Sequence, residues 1–273
     1  MLSHNTKKML LQFLAEDIGK GDITSALLPK KRISAHIISR ENAIIAGTKY
    51  AKEIFTLNGC NVKILKKDGS KIRSNQTIMT IVGDARGILS CERTALNLLS
   101  RMSGIATQTR SLVDKIQNKK TKLYATRKTA PGLRLFDKEA VEIGGGKKHR
   151  LRLDEMIMIK DNHIAVSDSL MSLISIAKKR YKKFEVEVEN SQDAVLAAKE
   201  GASIIMLDNF TPNQIKKTIN LLTKHKLRDK VMLEASGGIN EKNISKYGDT
   251  GVDIISVGSI TNSVKGTDMS LEI

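Results

Sequence analysis

The chain has 273 residues, 40% of them hydrophobic and 27% charged, and 46 Lys+Arg against 29 Asp+Glu give it a formal net charge of +17. That length holds a barrel-sized core with a small companion domain, and the composition excludes a disordered chain. No apolar run approaches the roughly 20 residues of a membrane span, and an aromatic content of 3% without Trp argues against a single-strand nucleic-acid binder, which stacks bases on aromatic rings.

The first stretch, MLSHNTKKMLLQFLAEDIGKGDIT, has a short apolar run from Met9 to Leu14 that meets Glu16 and Asp17 at once and lacks a small-residue cleavage site. It reads as an amphipathic helix and not as a signal peptide. After GDITSALLP come strand-like runs, SAHIISRENAIIAG, CNVKILKKDG and QTIMTIVGD, with turn residues between them. This is the pattern of an α+β piece with an antiparallel sheet. Cys60 and Cys91 form no CxxC and have no His at ligand spacing, so they read as incidental thiols of a cytoplasmic protein.

Next, ILSCERTALNLLSRMSGIATQTRSLVDKI places Leu89, Leu96, Leu99 and Met102 at helical spacing. The expectation is one long amphipathic helix, or two broken at Gly104. Arg93 falls on the leucine-bearing face. An arginine there snorkels or pairs, or enters a neighbouring subunit's site if the helix packs on another copy.

From residue 121 short apolar runs recur: KLYATR, MIMIK, FEVEVE, SIIMLDN, VMLEASGG and DIISVGS. Helical segments separate most of them: SDSLMSLISIAKKRY, SQDAVLAAKEG, TPNQIKKTINLLTKH and NEKNISKYGDTG. Alternating strand and helix means βαβ units around a parallel sheet, a little short of an eight-stranded barrel. The expected division is an N-terminal α+β domain over 1–105, rejoined by the tail 267–273, and an α/β barrel over 106–266.

Polar residues end these strands. Arg127 and Lys128 follow the first, Lys160 ends the second, Glu189 the third and Asp208 the fourth. Ser236, Gly237 and Gly238 follow the fifth, and Ser256 and Gly258 close the last. In a parallel barrel these positions converge on one mouth, where barrel active sites lie. The Gly/Ser loops after the last two strands suit a phosphate, because glycine lets backbone N–H groups approach. Glu189 and Asp208 suit Mg²⁺ coordination, ribose hydroxyls or a developing cation, with rim salt bridges as the bland reading. Arg127, Lys128, His149, Arg150 and Lys160 make a cationic group too dense for one phosphate, and arginine clamps carboxylates with two hydrogen bonds. Gly144, Gly145 and Gly146 read as a turn that folds the second cluster back over the first. His163 reads as a loop cap. The plain account of the remaining charge is a lysine-rich solvated surface, as in KILKKDGSKIR and AKKRYKKFE.

The stretches ERTALNLLSRMSGIAT, TRKTAPGLRLFDKEAVEIGGGKKHR, MIKDNHI, VEVEN, IMLDNF, EASGGIN and ISVGSIT closely resemble quinolinate phosphoribosyltransferases, and the resemblance covers nearly the whole chain. It implies a two-domain type II phosphoribosyltransferase with an N-terminal α+β sandwich-like domain and an incomplete, about seven-stranded α/β barrel. It also implies a homodimer or hexamer, and the Mg²⁺-dependent joining of quinolinate to 5-phosphoribosyl 1-diphosphate with loss of CO₂ in NAD biosynthesis. By the same resemblance, Arg127, His149, Arg150 and Lys160 hold the quinolinate carboxylates, and Arg93 comes from a neighbouring subunit. Lys128, Glu189 and Asp208 surround the donor and its metal, and Ser236, Gly237, Gly238, Ser256 and Gly258 hold its phosphate. Lys148 departs from the Asn that many relatives carry. The rival readings are a type II enzyme acting on nicotinate, a molybdenum-transport-linked paralogue, and a non-catalytic nucleic-acid binder; neither nucleic acid nor membrane is an expected partner.

Overall fold

In a computed structural model, which describes residues 2–167 and 169–273, the chain divides into two compact units. The first runs to Gln108 and takes in Leu135–Gly144 and Val264–Ile273; the second comprises Thr109–Arg134 and Gly145–Ser263.

The first unit opens with α1 (His4–Ile18), whose N-cap Ser3 accepts the Thr6 N–H at 3.2 Å and whose chain leaves at Gly19 with φ +58°. Then follow β1 (Arg32–Ser39), β2 (Ala43–Ile44), α2 (Thr48–Leu57), β3 (Asn61–Ile64), β4 (Lys71–Ile72), β5 (Thr77–Asp84) and α3 (Ala85–Lys115). The antiparallel sheet expected from the strand-like runs is present. β1 pairs β5 with Ala35 opposite Ile81 and Ile37 opposite Met79, and all four side chains are fully buried. Alternation along β1 thus sends every second residue into the core. The sequence reading did not foresee α2, which buries Tyr50, Ile54 and Phe55.

α3 is one unbroken helix of 31 residues. Gly104 does not break it. A Cβ at Gly104 would collide with the Lys265 carbonyl oxygen and stand 3.0 Å from the carbonyl carbon and 3.1 Å from Gly266 Cα, so the glycine serves close backbone packing. Leu96, Leu99 and Met102 are buried, whereas Leu89 is half-buried. Arg93 is exposed, on a polar side with Asn97. The expectation that it sits on the buried leucine face is therefore corrected: a 3.6-residue period places residues 91, 95, 98 and 102 inward and turns residue 93 outward.

The second unit holds β6 (Lys122–Ala125), β7 (Ile157–Ile159), α5 (Asp161–Ala165), α6 (Leu170–Arg180), β8 (Phe184–Val188), α7 (Ser191–Lys199), β9 (Ile204–Asp208), α8 (Pro212–Lys224), β10 (Met232–Ser236), α9 (Ile244–Gly248), β11 (Ile254–Val257) and α10 (Ser259–Asn262). Between β6 and β7, α4 (Arg134–Ile143) lies almost wholly in the first unit, where Phe136 meets Tyr50 edge-on at 4.8 Å and the buried Asp137 takes Arg101 Nε at 2.8 Å and Nη2 at 2.9 Å. The last strand, β12 (Met269–Glu272), pairs with β1.

Every apolar run named after residue 121 is a strand, and the six form one parallel sheet in the order β6-β11-β10-β9-β8-β7. Outside β6, Lys147 adds a parallel bridge to Tyr124, donating its N–H to Leu123 O at 2.8 Å and accepting the Ala125 N–H at 2.9 Å. Among the described residues the sheet thus has six strands and one isolated bridge, one strand short of the about seven expected. The helical segments appear as α6, α7, α8 and α9; Asp168, in the first of them, lies outside the described residues. α8 shows why such a segment folds locally: Thr211 and Gln214 form a reciprocal capping box, and Pro212 sits in the first turn.

Candidate active site

The six parallel strands run the same way, and at their carboxyl ends a cavity of about 380 Å³ opens. Its wall takes Arg127 and Lys128 from the turn after β6, His149 and Arg150 from the loop before β7, and Lys160 from the end of β7. Glu187, Asp208, Ser236 and Ser256 come from β8, β9, β10 and β11. Eight of the sequence-predicted residues thus share one wall. Gly237, Gly238 and Gly258 are the chain neighbours of that wall. Glu189 stands exposed one residue past β8, and Lys148 does not line the cavity. Arg93 belongs to the first unit.

Lys128, Arg150 and Lys160 are each held by a nearby brace. The Lys128 N–H donates to Thr126 Oγ1 at 3.2 Å, its carbonyl accepts from Thr261 Oγ1 at 2.7 Å, and a Cβ on Gly258 would stand 3.0 Å from Lys128 Cδ. Arg150 Nη1 donates to Met156 O at 2.8 Å. Burial, and then the neighbouring charge of Arg127, push the Arg150 pKa down, while Glu185 pulls it up. Arg127 Nε is buried without a hydrogen-bond partner among the described residues. Two guanidinium groups sharing one cavity, one with an unused donor, are stabilised by an anion set between them. Lys160 pairs with Glu187. Its N–H donates to His163 Nδ1 at 3.0 Å, so His163 is the loop cap its position suggested.

The glycine turn expected after β10 is present. After Ser236, Gly237 and Gly238 have φ +89° and +62°, left-handed backbone that glycine adopts without steric cost. Asn209, itself at φ +56°, donates its N–H to Ser236 O at 2.8 Å and its Nδ2 to Asp208 Oδ2 at 2.7 Å. Asp208 is held above the ordinary carboxylate range by burial and by Glu187, with Lys160 and Lys128 opposing and Glu189 adding to the rise. A half-buried carboxylate with carboxylate neighbours gains from a divalent cation. Ser256 Oγ is buried and without a hydrogen-bond partner among the described residues.

Three acidic residues escaped the sequence reading. Glu187 reaches the wall where Glu189 was expected, the buried Glu234 also lines it, and the buried Glu185 does not. The alternation FEVEVE carried the signal: Glu185 and Glu187 share one face of β8. His149 Nε2 stands 3.4 Å from Glu185 Oε2 and 3.3 Å from Glu234 Oε2. On the other side of the ring, Nδ1 accepts the Arg150 N–H at 2.8 Å.

Two family models span nearly the whole chain. Quinolinate phosphoribosyl transferase, N-terminal domain, matches residues 22–103, and the C-terminal domain matches residues 105–272. A probable nicotinate-nucleotide pyrophosphorylase (carboxylating) of Methanothermobacter thermautotrophicus is 43% identical over 272 residues, covering 97% of this chain and 98% of its own. A protein of the same name from Methanocaldococcus jannaschii is 43% identical over 282 residues, covering 100% and 99%. The solved structure of the nicotinate-nucleotide pyrophosphorylase from Francisella tularensis superposes with a TM-score of 0.92 at 38% identity, over 100% of this chain and 97% of that one.

Proposed function

The chain belongs to the quinolinate phosphoribosyltransferase family, matched through both domains, and on that basis we propose how its cavity carries out the reaction. The enzyme transfers the phosphoribosyl group of 5-phosphoribosyl 1-diphosphate to quinolinate, pyridine-2,3-dicarboxylate, and yields nicotinate mononucleotide, diphosphate and CO₂ in NAD biosynthesis. The observation that carries the site assignment is the single cavity that joins Arg127, Arg150 and Lys160 to Lys128, Asp208 and Ser236. A dianionic acceptor and a polyanionic donor both need such a wall.

In this reading the two guanidinium groups of Arg127 and Arg150, with Lys160 and with His149 behind them, receive the acceptor's two carboxylates. Gly237, Gly238, Ser236, Ser256 and Gly258 take the donor's phosphate through backbone N–H and hydroxyl donors, and Lys128 faces its diphosphate. The bond from ribose C1′ to the diphosphate oxygen breaks, and the pyridine nitrogen bonds C1′. Asp208 and Glu189 stabilise the positive charge that develops on the ribose. The ring nitrogen becomes cationic, the bond from C2 to its carboxylate breaks, and CO₂ leaves the electron pair on C2 beside that nitrogen, to be taken up by a proton from water. Positioning and fixed charge supply most of the rate, since little proton transfer is required.

Mg²⁺ is part of the proposal. Asp208 and Glu189 would hold it, directly or through water, and the ion would neutralise charge on the departing diphosphate. Two further points are proposed with it: a homo-oligomer in which the exposed Arg93 reaches a neighbouring subunit's acceptor site, and a cytoplasmic location, in keeping with free, buried Cys60 and Cys91. No helix among the described residues is long and apolar enough to cross a membrane. The test is CO₂ release from quinolinate, 5-phosphoribosyl 1-diphosphate and Mg²⁺. Turnover of nicotinate with none of quinolinate would overturn the acceptor assignment.

A further inference from the structure

Glu185 and Glu234 have no part in the reaction as described, yet both are fully buried, and none of their four carboxylate oxygens makes a well-formed hydrogen bond among the described residues. A carboxylate taken out of water unpaired is costly, so the pair must be held for a reason. The nearest group to both is the His149 ring, with Nε2 at 3.3–3.4 Å and its side chain 7% exposed. The opposite nitrogen, Nδ1, accepts the main-chain N–H of Arg150. Nδ1 is therefore engaged by the main chain, and Nε2, which makes no well-formed hydrogen bond among the described residues, has the two carboxylates as its nearest charged groups. His149 also sits at φ +54°, a left-handed backbone that a non-glycine residue holds only when its surroundings enforce it.

We propose that Glu185 and Glu234 are positioning residues for the acceptor site: they anchor His149 on its Nε2 side, and His149 through Nδ1 fixes the main chain of Arg150, so that His149 acts as a strut for that clamp. The inference rests on the reading of Arg150 as a carboxylate clamp.

The charged groups around the ring are Glu185 on β8, Glu234 on β10, and Arg150 with Arg127 beyond it; Tyr124 on β6 packs edge-on at 5.8 Å. Burial lowers the His149 pKa, but the two carboxylates outweigh it and push it up to about 9. A second ring proton would have to sit on Nδ1, against the Arg150 N–H. The geometry thus opposes the charge that the carboxylates favour, and the neutral Nε2–H tautomer is the one this arrangement accommodates. The same tautomer disfavours a metal ion among the three groups, because a ligating Nε2 requires the proton on Nδ1.

The test uses the full-length enzyme and variants Glu234→Ala, Glu234→Gln, Glu185→Gln and Arg150→Ala. With Ala at 234 the strut loses its anchor, and the quinolinate KM should rise roughly tenfold to a hundredfold, the effect of misplacing a substrate clamp, while the KM for 5-phosphoribosyl 1-diphosphate stays within about twofold. The Gln variants keep an oxygen for Nε2–H and should retain most of the wild-type quinolinate KM. ¹⁵N spectra of labelled His149 at neutral pH should show a proton on Nε2 and none on Nδ1. Three results would overturn the strut: Glu234→Ala with unchanged quinolinate KM, equal losses for both substrates, or a wild-type ring protonated on both nitrogens. An Arg150→Ala enzyme with normal quinolinate KM would instead overturn the acceptor reading beneath it.

Discussion

Gly237 and Gly238 are adjacent and both left-handed, but their surroundings differ, and the difference makes a sharp prediction. A methyl group at Gly238 meets nothing within 4 Å, so Gly238→Ala incurs only the left-handed backbone penalty at φ +62°, about 1 kcal/mol. At Gly237 the methyl would collide with Asn209 Oδ1 and stand 2.7 Å from Asn209 Cγ and 2.8 Å from its backbone N. The side-chain oxygen can swing away. The backbone nitrogen cannot, because it donates to Ser236 O at 2.8 Å. Overpacking of this kind costs about 1–3 kcal/mol beyond the backbone term. Relief requires the loop to move, and with it the N–H groups assigned to the donor's phosphate and the Asn209 amide that holds Asp208. Each hydrogen bond to a charged group contributes about 1.5–3 kcal/mol, so losing one raises the KM for 5-phosphoribosyl 1-diphosphate roughly tenfold to a hundredfold. Initial rates with that substrate varied at saturating quinolinate measure this directly. If Gly237→Ala and Gly238→Ala have donor KM values within about twofold of each other, the phosphate-loop assignment fails.

Lys160→Ala and Arg150→Ala should each lower kcat/KM for quinolinate by at least about a hundredfold with little change in thermal midpoint, because both side chains face the cavity; near-normal activity in either would remove it from the site. Mixing refolded Arg93→Ala and Lys160→Ala subunits should restore activity to about a quarter of wild type, the share of intact sites in randomly paired two-fold dimers, and no recovery would place Arg93 outside its neighbour's site. Exhaustive chelation should abolish turnover, and Mg²⁺ should restore it; activity that persists in chelator would exclude the proposed role of Asp208 and Glu189 as the metal's holders.

Strand-end chemistry was readable because a βαβ unit is local: the apolar run sets the strand, the next polar residue marks its end, and parallel topology brings the ends together. Arg127, Lys128, Lys160, Asp208, Ser236 and Ser256 were found this way. Glu189 and Glu187 show the limit. Both share the parity of one strand face, and only the actual end of β8 at Val188 decides which of them reaches the wall. Glu185 and Glu234 were not legible, since a glutamate inside an apolar run looks like a solvent-facing residue until a partner distant in the chain, here His149, is brought to it by the fold. The exposed side of α3 was missed for a related reason: Leu89, Leu96, Leu99 and Met102, at steps of seven and three, mark a stripe broad enough to mislead about its edge, where Arg93 lies.

The pairing of β12 with β1, Ile37 opposite Leu271 and Ser39 opposite Met269, bears on the order in which the molecule can be made. While a ribosome is still translating the barrel, β1 stands with an open edge, and the pocket that receives α4 has only just acquired it. The first unit cannot close until residues near 270 emerge, so the portion synthesised first is completed last. Such an exposed strand edge invites pairing with other chains. A fragment cut where the two family models meet, near residue 104, would keep that edge open permanently and would also lack α4. Nascent chains of this protein therefore have a long interval in which a chaperone, or a crowded neighbour, can occupy the place reserved for β12.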